Sequence, residues 1–170
     1  GVPSRREYPR RRVKADPYPS ADEYLEELYE KAWKDAGWGI VLLCTGSTER
    51  LTPDLVECPQ GRVPKQLPDR STSAEGRPIH AMLVANATPH KFHHPPALQP
   101  KHRQVARKAV WWARRHPGIE CRLAKLDVRK AFKWHHIRPQ DAGDFGSALP
   151  GAAVGVKGRI KMVYAGMPFG

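Results

Sequence analysis

The sequence predicts an α+β fold. Two stretches, 20–36 and 101–116, carry apolar residues at helical spacing, and three short apolar runs, 39–44, 79–84 and 123–128, have the length of strands. Between them Gly, Pro, Ser and Thr recur often enough to read as loops and turns.

Residues 1–19 combine prolines with Arg5, Arg6, Arg10, Arg11, Arg12 and Lys14 and show no hydrophobic period. They are expected to form a basic mobile arm, either a solvated linker or a nucleic-acid contact. The first helix is expected from Ser20, where Ser20 and Glu23 have capping-box spacing. Tyr24, Leu25, Leu28, Tyr29, Ala32, Trp33 and Ala36 then repeat at its period, and Gly37 supplies a stop. The opposite face carries Asp22, Glu26, Glu27 and Glu30, which would repel phosphate, so the aromatic stripe reads as core packing.

Gly39–Cys44 is expected to be a strand, 45–76 loops with a hairpin, Ile79–Val84 a second strand and Asn86–Pro100 irregular. Lys101–His116 is expected to be a helix that buries Val105, Ala106, Ala109, Val110, Trp112 and Ala113 and ends at Pro117-Gly118. Arg103, Arg107, Lys108, Arg114 and Arg115 lie on its other side, which is either a solvated face or one that follows phosphates.

The net charge is +12. It is clustered: residues 101–134 oppose a dense run of Lys and Arg with only Glu120 and Asp127. A polyanionic partner, nucleic acid first, is therefore expected. No apolar run approaches the roughly 20 residues that span a bilayer, and no signal-peptide pattern opens the chain. Cys44, Cys58 and Cys121 are widely spaced and odd in number, which suits a reducing, intracellular compartment. His90, His93 and His94 with Cys58 or Cys121 lack the paired spacing of a zinc site and read as loop residues. The chain opens on Gly1 and stops at Gly170 within a strand-to-turn signal, so a fragment is expected.

In Cys121-Arg-Leu-Ala-Lys-Leu-Asp-Val-Arg-Lys-Ala-Phe132, a strand over Leu123–Val128 is followed by a helical turn from Arg129 to Trp134. Asp127 then stands at a strand end, either as the cap of that turn or as a site carboxylate. The stretch Leu126-Asp-Val-Arg-Lys-Ala-Phe132 resembles the first catalytic motif of reverse transcriptases, an Asp followed five residues later by an aromatic. Ile137-Arg-Pro-Gln-Asp141 and Phe145 resemble the loop and strand that follow it. Met162-Val-Tyr-Ala-Gly-Met-Pro-Phe-Gly170 resembles the strand and Pro-Phe-Gly turn that open the second palm motif. The combination is closest to long-terminal-repeat, gypsy-like and related retrotransposons. Upstream, Val63-Pro-Lys65 and Arg77-Pro-Ile-x-Ala-Met-Leu-Val-Ala-Asn86 resemble the fingers hairpin, with departures at Ala81 and Leu83, where the family carries Asp and Arg. The resemblance covers about residues 60–170.

This resemblance implies a fingers region plus an incomplete palm of a right-hand polymerase, a small antiparallel sheet packed on helices. Residues 1–19 would be the arm, 20–60 an unassigned helix and strand, 61–120 the fingers-like region and 121–170 the partial palm. It implies RNA-directed synthesis of DNA on a template-primer from deoxynucleoside triphosphates with two Mg²⁺ ions. Asp127 and the Val128 carbonyl would bind metal, Phe132 would lie under the incoming sugar and exclude a 2′ hydroxyl, and Lys65 and Arg77 would meet the triphosphate, with Arg70 competing for the place of Lys65. No Asp-Asp pair occurs in the chain, so these residues alone are expected not to polymerise. An incomplete sheet also predicts an open edge and a marginal, aggregation-prone fold.

Two further readings stand beside it. One is a basic RNA-binding module that stacks and contacts a single strand through Trp111, Trp112, Arg114, Arg115, Lys133 and Trp134, although such a module needs no carboxylate on a buried strand. The other is a retroelement relic without function.

Overall fold

A helix begins where proline makes it cheapest: Pro19 occupies the first turn, where its missing N–H costs nothing, after Tyr18 in extended conformation. The computed structural model describes residues 13–46, 54–83, 99–124, 128 and 130–168. Within them α1 spans Pro19–Glu23 and α2 spans Leu25–Gly37. The single helix expected from Ser20 is thus two, broken at Tyr24, whose backbone leaves the helical region. The expected capping box is not formed either, because the Ser20 hydroxyl accepts instead from the Arg62 N–H at 3.1 Å. At the other end the left-handed residue is Gly39, two positions past the expected stop, and its N–H donates to Ala36 at 2.9 Å.

The chain divides into two units, Gly1–His90 with Lys130–Gly170, and Lys91–Arg129. In the first, β1 (Val41–Cys44), β4 (Gly146–Pro150) and β5 (Arg159–Tyr164) form an antiparallel sheet in the order β1-β5-β4. Val41 pairs with Tyr164 and Ser147 with Met162. One face of this sheet meets the apolar stripe of α2. Leu28, Tyr29 and Ala32 pack with Val41, Leu149, Ile160 and Met162. The Tyr29 hydroxyl donates to the Pro150 carbonyl at 2.8 Å, which ties the helix to the far strand. A smaller cluster joins Val56, Cys58 and Met82.

The expected hairpin exists and is longer than the sequence suggested. Antiparallel β2 (Gln60–Gln66) and β3 (Thr72–His80) place Val63 opposite Arg77, with a bulge between Pro64 and Gln66. Their Gly, Pro and charged residues are weak strand formers. What fixes the hairpin is its turn, where Asp69 accepts from Ser71 N and Oγ at 2.9 and 2.6 Å, and its polar attachment to α2. The Glu27 carboxylate accepts from Arg62 Nε at 3.0 Å and from Gly76 N at 2.7 Å, and from Lys31 as well. Burial raises the Glu27 pKa, but these three donors outweigh it and hold the carboxyl at about 2. Gly76 is required there because the Arg62 guanidinium lies across it.

In the second unit α3 (His102–Arg115) begins with the Gln104 side chain accepting from Lys101 N at 2.7 Å, and Gly118 follows its end with φ +82°. Its limits agree with expectation, but its burial does not. No residue of α3 is buried, and Val105, Val110 and Trp112 stand exposed. Half of the apolar stripe is alanine, and a unit of this size has too little chain to cover a helix. The strand expected over Leu123–Val128 is also absent from its described residues. Cys121–Ala124 has no regular structure, and Leu123 and Val128 are 73% and 63% exposed. No neighbouring strand is paired to them, so their apolar side chains gain no face to bury.

Among the described residues the fold is therefore α+β, with two small antiparallel sheets and few helices, and no helix is long and apolar enough to cross a membrane.

Candidate functional site

Register decides which cations of the hairpin share a surface. Val63 and Arg77 are directly paired and so project to one side. Lys65 sits at the irregularity of β2, between Pro64 and Gln66. Arg77 is exposed, while half-buried Lys65 donates to Glu75 at 2.6 Å. That bond, with the nearby Lys65 and Lys31 charges, lowers the Glu75 pKa. Arg70 lies in the turn with φ +68° and is exposed, at the hairpin tip rather than along its face.

The second group is built around the 3₁₀ turn Ala131–Trp134, in the place of the helical turn read from the sequence. Lys130 precedes it in the left-handed conformation, φ +57°, which a lysine adopts only when its surroundings hold it. They do so here. Its ammonium donates to Asp35 Oδ1 at 2.9 Å and lies 3.6 Å from the centre of the Trp38 ring, and Lys133 donates to Asp35 Oδ2. Trp38 in turn stacks on Trp134, with centroids 6.3 Å apart. Asp35 is buried, so one carboxylate from the end of α2 ties down both lysines of the turn. Phe132, on that turn, is 53% exposed.

The turn is joined directly to the segment after β5. His136 bridges Gly166, Ile137 N donates to Ala165 O at 2.8 Å and Met167 N donates to His135 O at 3.0 Å. The Lys133 carbonyl lies against the Gly166 Cα, where no side chain fits. The residues that follow the stretch read as the first motif thus meet, through their backbones, the segment read as leading into the second.

Behind them is a buried polar group that the sequence did not announce. His80 and Ser147 each lie 3.3 Å from the Tyr164 hydroxyl, and Ser147 donates to Gln60 Oε1 at 3.3 Å. Burial, with the Lys133 charge adding and Asp35 opposing, lowers His80 to about 4. Burial also raises Tyr164. The unfolded chain takes up this histidine's proton near its ordinary 6.5, and the folded chain only near 4. Stability present above pH 6.5 is therefore lost as the pH falls through this window. The loss should be about 2 kcal/mol at pH 5, a difference that urea midpoints at pH 7.5 and 5 will register in the parent and not in His80→Asn.

Elsewhere the buried Glu57 faces Arg159 at 3.2 Å and Lys161 at 3.8 Å. Asp141 and Asp144, read as turn residues, lie in the 3₁₀ turn Pro139–Asp144, where Arg138 donates to Asp141 at 2.7 Å.

Asp127 lies outside the described residues, as do His90, His93 and His94. Val128 is exposed and Phe132 stands on the other unit. Among the described residues no three His, Cys, Asp or Glu side chains converge as metal ligands, so these residues do not themselves fit a pair of Mg²⁺ ions. No family model matches the chain, and no curated protein matches it.

Proposed function

We propose that this chain is a segment of an RNA-directed DNA polymerase of retrotransposon type, with β2–β3 as the fingers hairpin and the β1-β5-β4 sheet as part of the palm of a right-hand fold. The observation that carries the reading is the backbone pairing of His135–Ile137, just after the stretch read as the first motif, with Ala165–Met167, within the stretch read as leading into the second, because a polymerase site needs those motifs near each other. The bond of Lys65 to Glu75, two residues before Arg77 on β3, supports it further.

In this reading Asp127 is the first catalytic carboxylate, and with the Val128 carbonyl it supplies one part of a Mg²⁺ site. One carboxylate cannot hold two cations, and the remaining ligands come from beyond these residues. Phe132 selects deoxynucleotides by occupying the space a 2′ hydroxyl needs. Lys65 and Arg77 bind the triphosphate, Arg77 through its planar fork and Lys65 as a point charge released from Glu75.

Primer extension by the full-length product of the reading frame, on an RNA template with a DNA primer, tests the roles of the two cations. Lys65→Ala and Arg77→Ala are each expected to raise KM for the deoxynucleotide by about tenfold, the loss of one charge-assisted bond. Unchanged KM in both variants would overturn the assignment of the hairpin.

A further inference from the structure

The apolar stripe of α3 carries its large side chains on the borders and small ones between them. At about 100° per residue it spans an arc of about 160°. Ala106, Ala109 and Ala113 hold the middle beside His102, with Val105 and Trp112 on one border and Val110 on the other. Cations stand just beyond both borders, Lys108 next to Trp112, and Arg103 and Arg114 next to Val110. No residue of the helix is buried, and Trp112 is 41% exposed. A groove of about 490 Å³ is lined by Val105, Ala109 and Trp112 from the helix and by Cys121 and Leu123 from the segment after it. Pro100, Gln104, Lys108 and Arg122 complete the lining. Among the described residues of this unit, seven Lys and Arg stand against one acid, Glu120, which accepts from Arg122 at 2.6 Å.

We infer that this side of α3 docks on the surface of an anionic phospholipid bilayer, with the helix lying in the headgroup region. Charge complementarity names the partner, because so one-sided a set of cations is drawn to negative headgroups. Their places on both borders let the long stems follow the apolar arc while the charged ends reach phosphate. Trp112, between the apolar and cationic arcs, has the position that suits an indole at a membrane surface, with its ring against acyl carbon and its N–H toward water. The groove of an acidic protein would grip a helix by large side chains in the middle of the stripe, where α3 offers alanine. At 14 residues the helix is too short to span a bilayer, so it lies on one. The inference uses neither Asp127 nor the hairpin and stands apart from the polymerase reading.

The test is cosedimentation of the chain with vesicles of phosphatidylcholine, alone or with about 30% phosphatidylserine, at about 50 and 200 mM salt. The anionic vesicles are expected to bind at least about tenfold more tightly than the neutral ones, to lose about tenfold at the higher salt, and to shift tryptophan emission to the blue. Trp112→Ala should weaken this binding about tenfold and remove most of the shift, while Trp112→Phe stays within about threefold of the parent. Trp111, on the opposite side of the helix with Lys108 4.3 Å from its ring centre, is the control. Trp111→Ala should bind within about twofold of the parent. No binding to the anionic vesicles at the lower salt would overturn the inference. Equal affinity of the parent and Trp112→Ala would do so as well, leaving charge alone as the cause of binding. A lipid-free dimer that Trp112→Ala dissociates would also overturn it and assign the stripe to a second copy of the chain.

Discussion

Replacing Asp35 by alanine is expected to cost about 3–5 kcal/mol of stability, read as a fall in the urea midpoint. The size follows from what would be left behind. Lys130 and Lys133 both use this carboxylate, and their side chains are only 25% and 15% exposed. Without it two cations remain side by side in a partly dry site, near the neutral His80 that the Lys133 charge already disfavours protonating. Lys130 would also lose the bond that holds its left-handed backbone. Asp35→Asn keeps an acceptor and removes the charge, so its effect should fall between parent and alanine. The Trp38–Trp134 stack depends on the same turn, and tryptophan emission should shift along with the midpoint. A loss below about 1 kcal/mol in the alanine variant would mean that the turn is held by its backbone bonds to Ala165–Met167 alone.

Much of the fold could be read in the sequence wherever one face of an element is apolar. The stripe Leu28, Tyr29 and Ala32 marked α2 and its buried side, and the limits of α3 followed from its period and from Pro117-Gly118. Its burial did not follow, because an amphipathic pattern says which side could be covered and nothing about whether chain is present to cover it. The break at Tyr24 was hidden for a related reason. Apolar spacing runs through it unchanged, and the departure is local, with the Tyr24 ring 3.9 Å from the Arg62 guanidinium.

The hairpin was the hardest element to delimit, since Gln60–Gln66 and Thr72–His80 have little alternation of apolar and polar residues. Its attachment is polar and distant in sequence: Glu27 bonds Arg62 and Gly76, and no local pattern reveals such a pairing. The same holds for the site. Lys65, Arg77 and Phe132 were singled out through motif resemblance, whereas Asp35 lies outside every motif, and the parts that Lys130 and Gly166 play in positioning the turn were not read from the motifs that contain them. The left-handed Lys130 is least legible of all, because glycine is the usual signal for that conformation.

Asp127 is the proposed catalytic carboxylate, and Asp127→Asn removes its charge while keeping its size. In the full-length product of the reading frame, primer extension on an RNA template should fall at least about a thousandfold, or about 4 kcal/mol of transition-state stabilisation, because asparagine cannot neutralise a divalent cation. Template-primer binding should stay within about threefold, since one neutralised acid among so many cations changes the phosphate contacts little. Chemistry and binding should thus separate in this variant. Extension by Asp127→Asn within tenfold of the parent, or no extension by the parent at all, would contradict it and leave the chain as a nucleic-acid-binding module or a relic.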